Sequence, residues 1–117
     1  MAESILKEKS YAFAILIVKL SQVLVAEKKE YILSKQLLRS GTAVGALIRE
    51  AEFAQSKPDF IHKMSISLKE ANESLYWIDL LKDTGYMSKQ EYNTHYNLNK
   101  ELVAMLVSSI KTTKSRL

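Results

Sequence analysis

The chain has 117 residues, no cysteine, one proline and three glycines, with 17 Lys and Arg against 13 Asp and Glu for a net charge of +4. That length makes one domain able to bury a core without disulfide or metal staples, and the lack of cysteine excludes thiolate catalysis, redox chemistry and the common zinc-ribbon sites. The mild basicity permits contact with nucleic acid without demanding it, and so few turn formers predict long helices on short loops.

The N-terminal stretch "MAESILKEKS" is charged and has no signal-peptide pattern, and the apolar run "YAFAILIVKLSQVLV" is interrupted by Lys19. Read as too short for a bilayer span, it leaves a soluble cytoplasmic protein with no membrane contact as the expectation. The first helix is predicted over about residues 10–27, with a start nearer Ser4 as the alternative. Its core stripe is Phe13, Leu16, Ile17, Leu20, Val23 and Leu24. Opposite that stripe are expected Tyr11, Ala14, Ile15, Val18 and Val25, with only a thin polar strip near Lys19, more apolar surface than an amphipathic bundle helix needs. A helix apolar on two sides is buried on two sides, so these five are candidate oligomer-interface residues.

Ser34 reads as the N-cap of a second helix over about 35–55, with Leu37, Val44, Ile48 and Ala51 facing the core. Gly41 and Gly45 sit inside it, each at a cost of about 1 kcal/mol relative to alanine. Bare backbone on one edge of the stripe predicts the close approach of another helix, whose dispersion contacts offset that cost. Away from the core lie Lys35, Arg39 and Arg49, interleaved with Thr42, Ala46 and Phe53. The arginines have the fork geometry that holds phosphates, and Phe53 offers a stacking surface. The competing reading is an ion-pair network with Glu50, Glu52, Glu70 and Glu73.

"SKPDF" starts a third helix over about 57–84: Ser56 and Asp59 have capping-box-like spacing, and Pro58 falls in the first turn. Gly85 suits the left-handed residue that ends it. Its stripe is Phe60, Met64, Leu68, Ala71, Leu75 and Ile78, with Ile66 and Trp77 off the stripe as further interface candidates. Ser88 and Glu91 make a capping box for a fourth helix over about 89–112, with Met87 placed to staple onto Tyr92. Tyr92, Tyr96, Val103, Leu106 and Ile110 form its stripe, and a basic tail over 111–117 carries Lys111, Lys114 and Arg116.

Four stripes on short loops predict an all-α, antiparallel up-down-up-down four-helix bundle in a single domain. Apolar patches on two different helices fit a head-to-tail ring better than a two-fold dimer. Chemistry is harder to find. His62 and His95 have no Glu-x-x-His partner motif, and no phosphate-cradling glycine loop, Ser-His-Asp order or HExxH is present. A non-enzymatic protein with no cofactor, no metal and no catalytic residues is expected.

The stretch from Tyr31 to Met87 contains S-x-Q-L-x-R-S-G-T-x-x-G-A at Ser34–Ala46, E-A at Glu50–Ala51, D-F-I-x-K at Asp59–Lys63 and L-K-E-A-x-E-x-L-Y-W at Leu68–Trp77. These elements resemble the 23S rRNA-intervening-sequence protein family, the S23 four-helix bundles, over most of Phe13–Leu106. The resemblance implies a left-handed up-down bundle assembled into a pentameric ring, with no catalytic residues to carry over. It also implies likeness to the accessory proteins of diversity-generating retroelements, basic pentamers that contact nucleic acid and a reverse transcriptase. Where the family pattern often reads G-A-N-I, this chain has Leu47 in place of the polar residue, and it is less basic than the retroelement proteins.

Two functional readings follow. The first is an oligomeric accessory protein that binds RNA through backbone contacts from Lys35, Arg39, Arg49, Lys111, Lys114 and Arg116. The alternative is a homo-oligomeric scaffold for another protein, with its arginines in ion pairs.

Overall fold

Four helices follow one another along the chain in a computed structural model that describes residues 2–117, with side chains from Ser4 onward: α1 (Ala2–Lys28), α2 (Leu33–Glu52), α3 (Lys57–Asp83) and α4 (Lys89–Lys114). A 27-residue helix rises roughly 40 Å, and the molecule measures 48 × 21 × 20 Å, so the helices lie side by side along its length. The short connections force each helix to run antiparallel to the one before. α1 packs on α2 and α4, and α3 packs on α2 and α4, leaving α1 and α3 on one diagonal of the bundle and α2 and α4 on the other. The α1–α4 seam is the thinnest of the four. Among the described residues there is no strand.

Local chemistry fixes most of the helix ends. Ser56 accepts from the Asp59 N–H at 3.2 Å, and the Asp59 carboxylate accepts from the Gln55 N–H at 3.1 Å. Ser88 and Glu91 make the expected reciprocal capping box, at 3.1 and 3.0 Å. That bond to the Ser88 N–H is the largest cause holding the Glu91 carboxyl below its usual range. At the end of α3, Gly85 takes φ +87°, and the Gly85 and Tyr86 N–H groups bond back to Lys82 and Leu81, which satisfies carbonyls a straight helix would orphan.

The start of α2 differs from expectation. Ser34 lies inside the helix, and Ile32 occupies the N-cap position with no side-chain bond. The Glu30 carboxylate supplies the cap instead, accepting from the Ser34 N–H at 2.7 Å, while the Ser34 hydroxyl donates to the Glu30 carbonyl at 2.7 Å. The chain makes this turn with Lys29 at φ +55°. α2 ends at Glu52 rather than Gln55, because Phe53 and Ala54 turn back onto Glu50 and Ala51 at 3.1 Å.

α1 begins eight residues before residue 10, at Ala2. Its buried positions Leu6, Ser10, Phe13, Ile17, Leu20 and Leu24 alternate spacings of four and three, so the stripe continues upstream through Leu6. Val23, expected in the core, is exposed, and Leu16 is half-buried. α1 from Ser4 to Lys28 is long and apolar enough to cross a membrane, contrary to the reading of its apolar run. The face carrying Phe13, Ile17 and Leu24 is nevertheless wholly buried in the bundle.

In α4 the buried residues are His95, Asn99, Leu102, Leu106 and Ile110, while Tyr92, Tyr96 and Val103 are half-buried. Polar contacts stitch the interior. Ser67 donates to the Val44 carbonyl at 2.9 Å, Ser74 to the Ser40 hydroxyl at 3.0 Å, and the Asn99 amide to the Ala71 carbonyl at 2.8 Å. The glycines of α2 face α1. A Cβ on Gly41 would stand 2.8 Å from Ile17 Cγ1, and one on Gly45 would stand 3.3 Å from the Ser10 hydroxyl.

Candidate functional site

The residues left over after the core is built define the outer surface of α1. Tyr11, Ile15, Val18 and Val25, spaced four, three and seven apart with the polar Gln22 between the last two, lie on the side away from the core stripe, at 57, 40, 37 and 38% exposure. Each is partly covered by its own chain yet keeps more than a third of its surface open to solvent. Ala14 stands at the edge of this face towards α2 and is half-buried.

A groove of about 270 Å3 runs beside it between α1 and α2. Its floor is small by composition: Ser10 and Ala14 from α1, Thr42, Gly45 and Ala46 from α2. The missing Cβ of Gly45 lets the Ser10 main chain come close, and short side chains on both helices leave the trough open. Tyr11 and Arg49 form its rim, with the guanidinium 5.4 Å from the ring centroid, inside cation–π range.

The six basic candidates fall at separate places. Arg39 lies on the α2–α3 seam in ion pairs with Glu70 and Glu73, and the Trp77 indole N–H also donates to Glu73, at 3.0 Å. Nearby, Lys63 pairs with Glu50 at 3.0 Å, a hydrogen bond that raises the Lys63 pKa above its usual value. So at Arg39 the ion-pair reading describes the geometry. Lys35 and Arg49 are exposed and, among the described residues, have no carboxylate partner. Fourteen residues of helix, roughly 21 Å, separate them, too far to share one phosphate. Lys111, Lys114 and Arg116 gather at the C-terminal end of α4, where cations also complement the helix dipole, and Lys57 joins them by donating to the Arg116 carbonyl at 2.7 Å. Phe53 stands 83% exposed at the end of α2.

On α3, Ile66 and Trp77 are half-buried in their own subunit, Trp77 packing against the core. The residue beside it, Tyr76, escapes a stripe-based reading because it points straight outward. It is 59% exposed and stands edge-on to Trp77 with centroids 5.0 Å apart. His62 is exposed, whereas His95 is buried with Nδ1 2.7 Å from the Glu91 carbonyl. Among the described residues no three of His, Asp and Glu converge on one point.

These features describe an all-helical up-and-down bundle whose most distinctive surface is a partly exposed apolar helix face with a small-residue groove beside it. The chain belongs to the 23S rRNA-intervening sequence protein family, whose model matches residues 2–108. It is similar to the crystal structure of a protein with unknown function from the S23 ribosomal protein family of Bacteroides thetaiotaomicron. The two are 50% identical, superpose with a TM-score of 0.94, and align over 95% of this chain and 99% of that one. No curated protein matches the sequence. The family expected from the motifs at Ser34–Ala46 and Leu68–Trp77 is therefore the right one.

Proposed function

We propose that this protein is a non-enzymatic, cytoplasmic, self-assembling scaffold whose α1 surface is covered by another copy of the chain, in the five-membered ring that the family resemblance implies. The observation that carries this reading is the outer face of α1, where Tyr11, Ile15, Val18 and Val25 each keep more than a third of their surface open to solvent. Exposed apolar side chains gathered on one helix face mark an association site. Light scattering at micromolar concentration tests it: a multimer is expected, and a monomeric mass refutes it. Val18→Glu is expected to break the assembly while leaving helicity by circular dichroism unchanged. An unchanged mass would show that α1 is the wrong face.

A second reading, association of the assembly with RNA, is supported by the cations that lack carboxylate partners among the described residues: Lys35, Arg49, Lys57, Lys111, Lys114 and Arg116. Copied around a ring, scattered cations act together through avidity. Binding to a structured rRNA fragment should then fall steeply between low and physiological salt, and no binding at low salt leaves the scaffold without an RNA role.

A further inference from the structure

We propose that the groove between α1 and α2 receives Tyr76 of a second copy, so that subunits join head to tail through two different surfaces. This rests on the self-assembly reading and names the surface that meets the α1–α2 face.

Size and chemistry point the same way. At about 270 Å3 the groove lies below the volume of a drug-sized ligand site, and it suits one bulky side chain. Its floor of Ala14, Gly45 and Ala46 offers apolar contact, and its rim of Tyr11 and Arg49 offers an aromatic ring and a guanidinium to a second aromatic. Tyr76 is built as the insert. It is 59% exposed and braced by Trp77, which is itself tied to Glu73. An aromatic anchor held in place before contact loses little conformational freedom on docking.

Charge distinguishes this pairing from contact of the α1–α2 face with itself. That face carries Lys35 and Arg49, neither with a carboxylate partner among the described residues, so a two-fold contact would bring like charges together. Around Tyr76 the carboxylate on offer is Glu73, since Asp83 stands 3.6 Å from the Lys82 ammonium. Glu73 already holds Arg39, yet a carboxylate has about four lone-pair sites, and Arg49 of the next copy can use those that remain. Because α1 and α3 sit on a diagonal of the bundle, each subunit would offer its groove on one side and its tyrosine on the other. Such contacts propagate and close into a ring or extend as a filament.

The absence of cysteine makes the pairing directly testable. Ala46→Cys and Asn72→Cys both alter exposed residues outside the core, and Asn72, one turn before Tyr76 on the same outward face of α3, leaves the tyrosine anchor in place. Under mild oxidation, a mixture of the two single variants is expected to give a disulfide-linked pair, neither variant alone should cross-link, and the double variant should give a ladder of covalent multimers. Tyr76→Ala should raise the apparent dissociation constant of assembly by at least ~10-fold, on the scale of an interface hot spot, with helicity unchanged. Tyr31→Ala, an equally exposed tyrosine elsewhere, should not. Dimers of Ala46→Cys alone, or a multimeric wild type whose mixed variants fail to cross-link, would overturn the groove assignment. A monomeric wild type would overturn the scaffold reading with it.

Discussion

Gly41 is where helix propensity and packing oppose each other most sharply. Gly41→Ala recovers about 1 kcal/mol of helix propensity. Against that, the new Cβ would stand 2.8 and 2.9 Å from the Ile17 γ-carbons and 3.2 Å from the Ile17 Cβ. Isoleucine in a helix is confined to essentially one χ1 rotamer, so Ile17 cannot swing aside and α1 must shift as a body. Overpacking of this kind costs about 1–3 kcal/mol, so the expected net loss is about 1 kcal/mol. In an Ile17→Ala background both γ-carbons are gone. The same substitution should then stabilise the bundle by up to about 1 kcal/mol, a coupling of about 2 kcal/mol across the cycle. Urea unfolding followed by far-ultraviolet circular dichroism measures it, at one fixed protein concentration so that any self-association would weigh equally on every variant. If Gly41→Ala stabilised the wild-type background, or changed both backgrounds equally, the close approach of Ile17 would not be what keeps this glycine. Gly45→Ala should be milder, since its tightest neighbour is a hydroxyl at 3.3 Å that can rotate.

Glu30→Ala removes the carboxylate that caps α2 and should cost about 1 kcal/mol in the same assay; no change would mean that the Ser34 N–H finds another acceptor. Tyr92 contributes to the alkaline limb. Burial, then its 2.7 Å bond to Asp79, pushes the phenol up to about 12, against roughly 10 in an unfolded chain. The fold favours the neutral phenol, so this contribution is intact below about pH 10 and is lost as pH rises through about 12. Stability should fall over that window, and Tyr92→Phe should flatten the fall; an identical limb in the variant would count against it. Arg39→Ala breaks ion pairs at a half-exposed guanidinium and should cost less than about 1 kcal/mol. In RNA titrations it should also leave affinity unchanged where Lys111→Ala lowers it.

Helix number, order and most ends were legible because their signals are local. Ser56 with Asp59, Ser88 with Glu91, and Gly85 each act within three residues of a boundary. The start of α2 was not, because its cap is a carboxylate four residues upstream, aimed at a main-chain N–H by a turn with Lys29 in the left-handed region. The face of α4 was displaced by one ridge for a different reason. His95 and Asn99 occupy core positions, and a reading that follows oil moves to the adjacent aromatic ridge of Tyr92 and Tyr96, which is half-buried. The outward stripe of α1 was legible from its residues alone. The groove beside it was not, since it exists only where the small residues of two helices meet. Both accounts of Arg39 were open in the sequence, with the ion-pair account the stronger, and the placement of Glu70 and Glu73 across the seam decides for it.

Leucine-and-valine seams are periodic, so a helix displaced by a turn or two against its neighbour finds nearly the same oil again. The bonds from Ser67 to the Val44 carbonyl, from Ser74 to Ser40 and from Asn99 to the Ala71 carbonyl lack that degeneracy. They act as a vernier: slide α3 along α2, or α4 along α3, and several interior dipoles lose their counterparts together, at about 1–3 kcal/mol for each one stranded. The alignment of α2, α3 and α4 is thereby indexed by a few hydroxyls and one amide, and the surfaces those three helices display inherit that indexing.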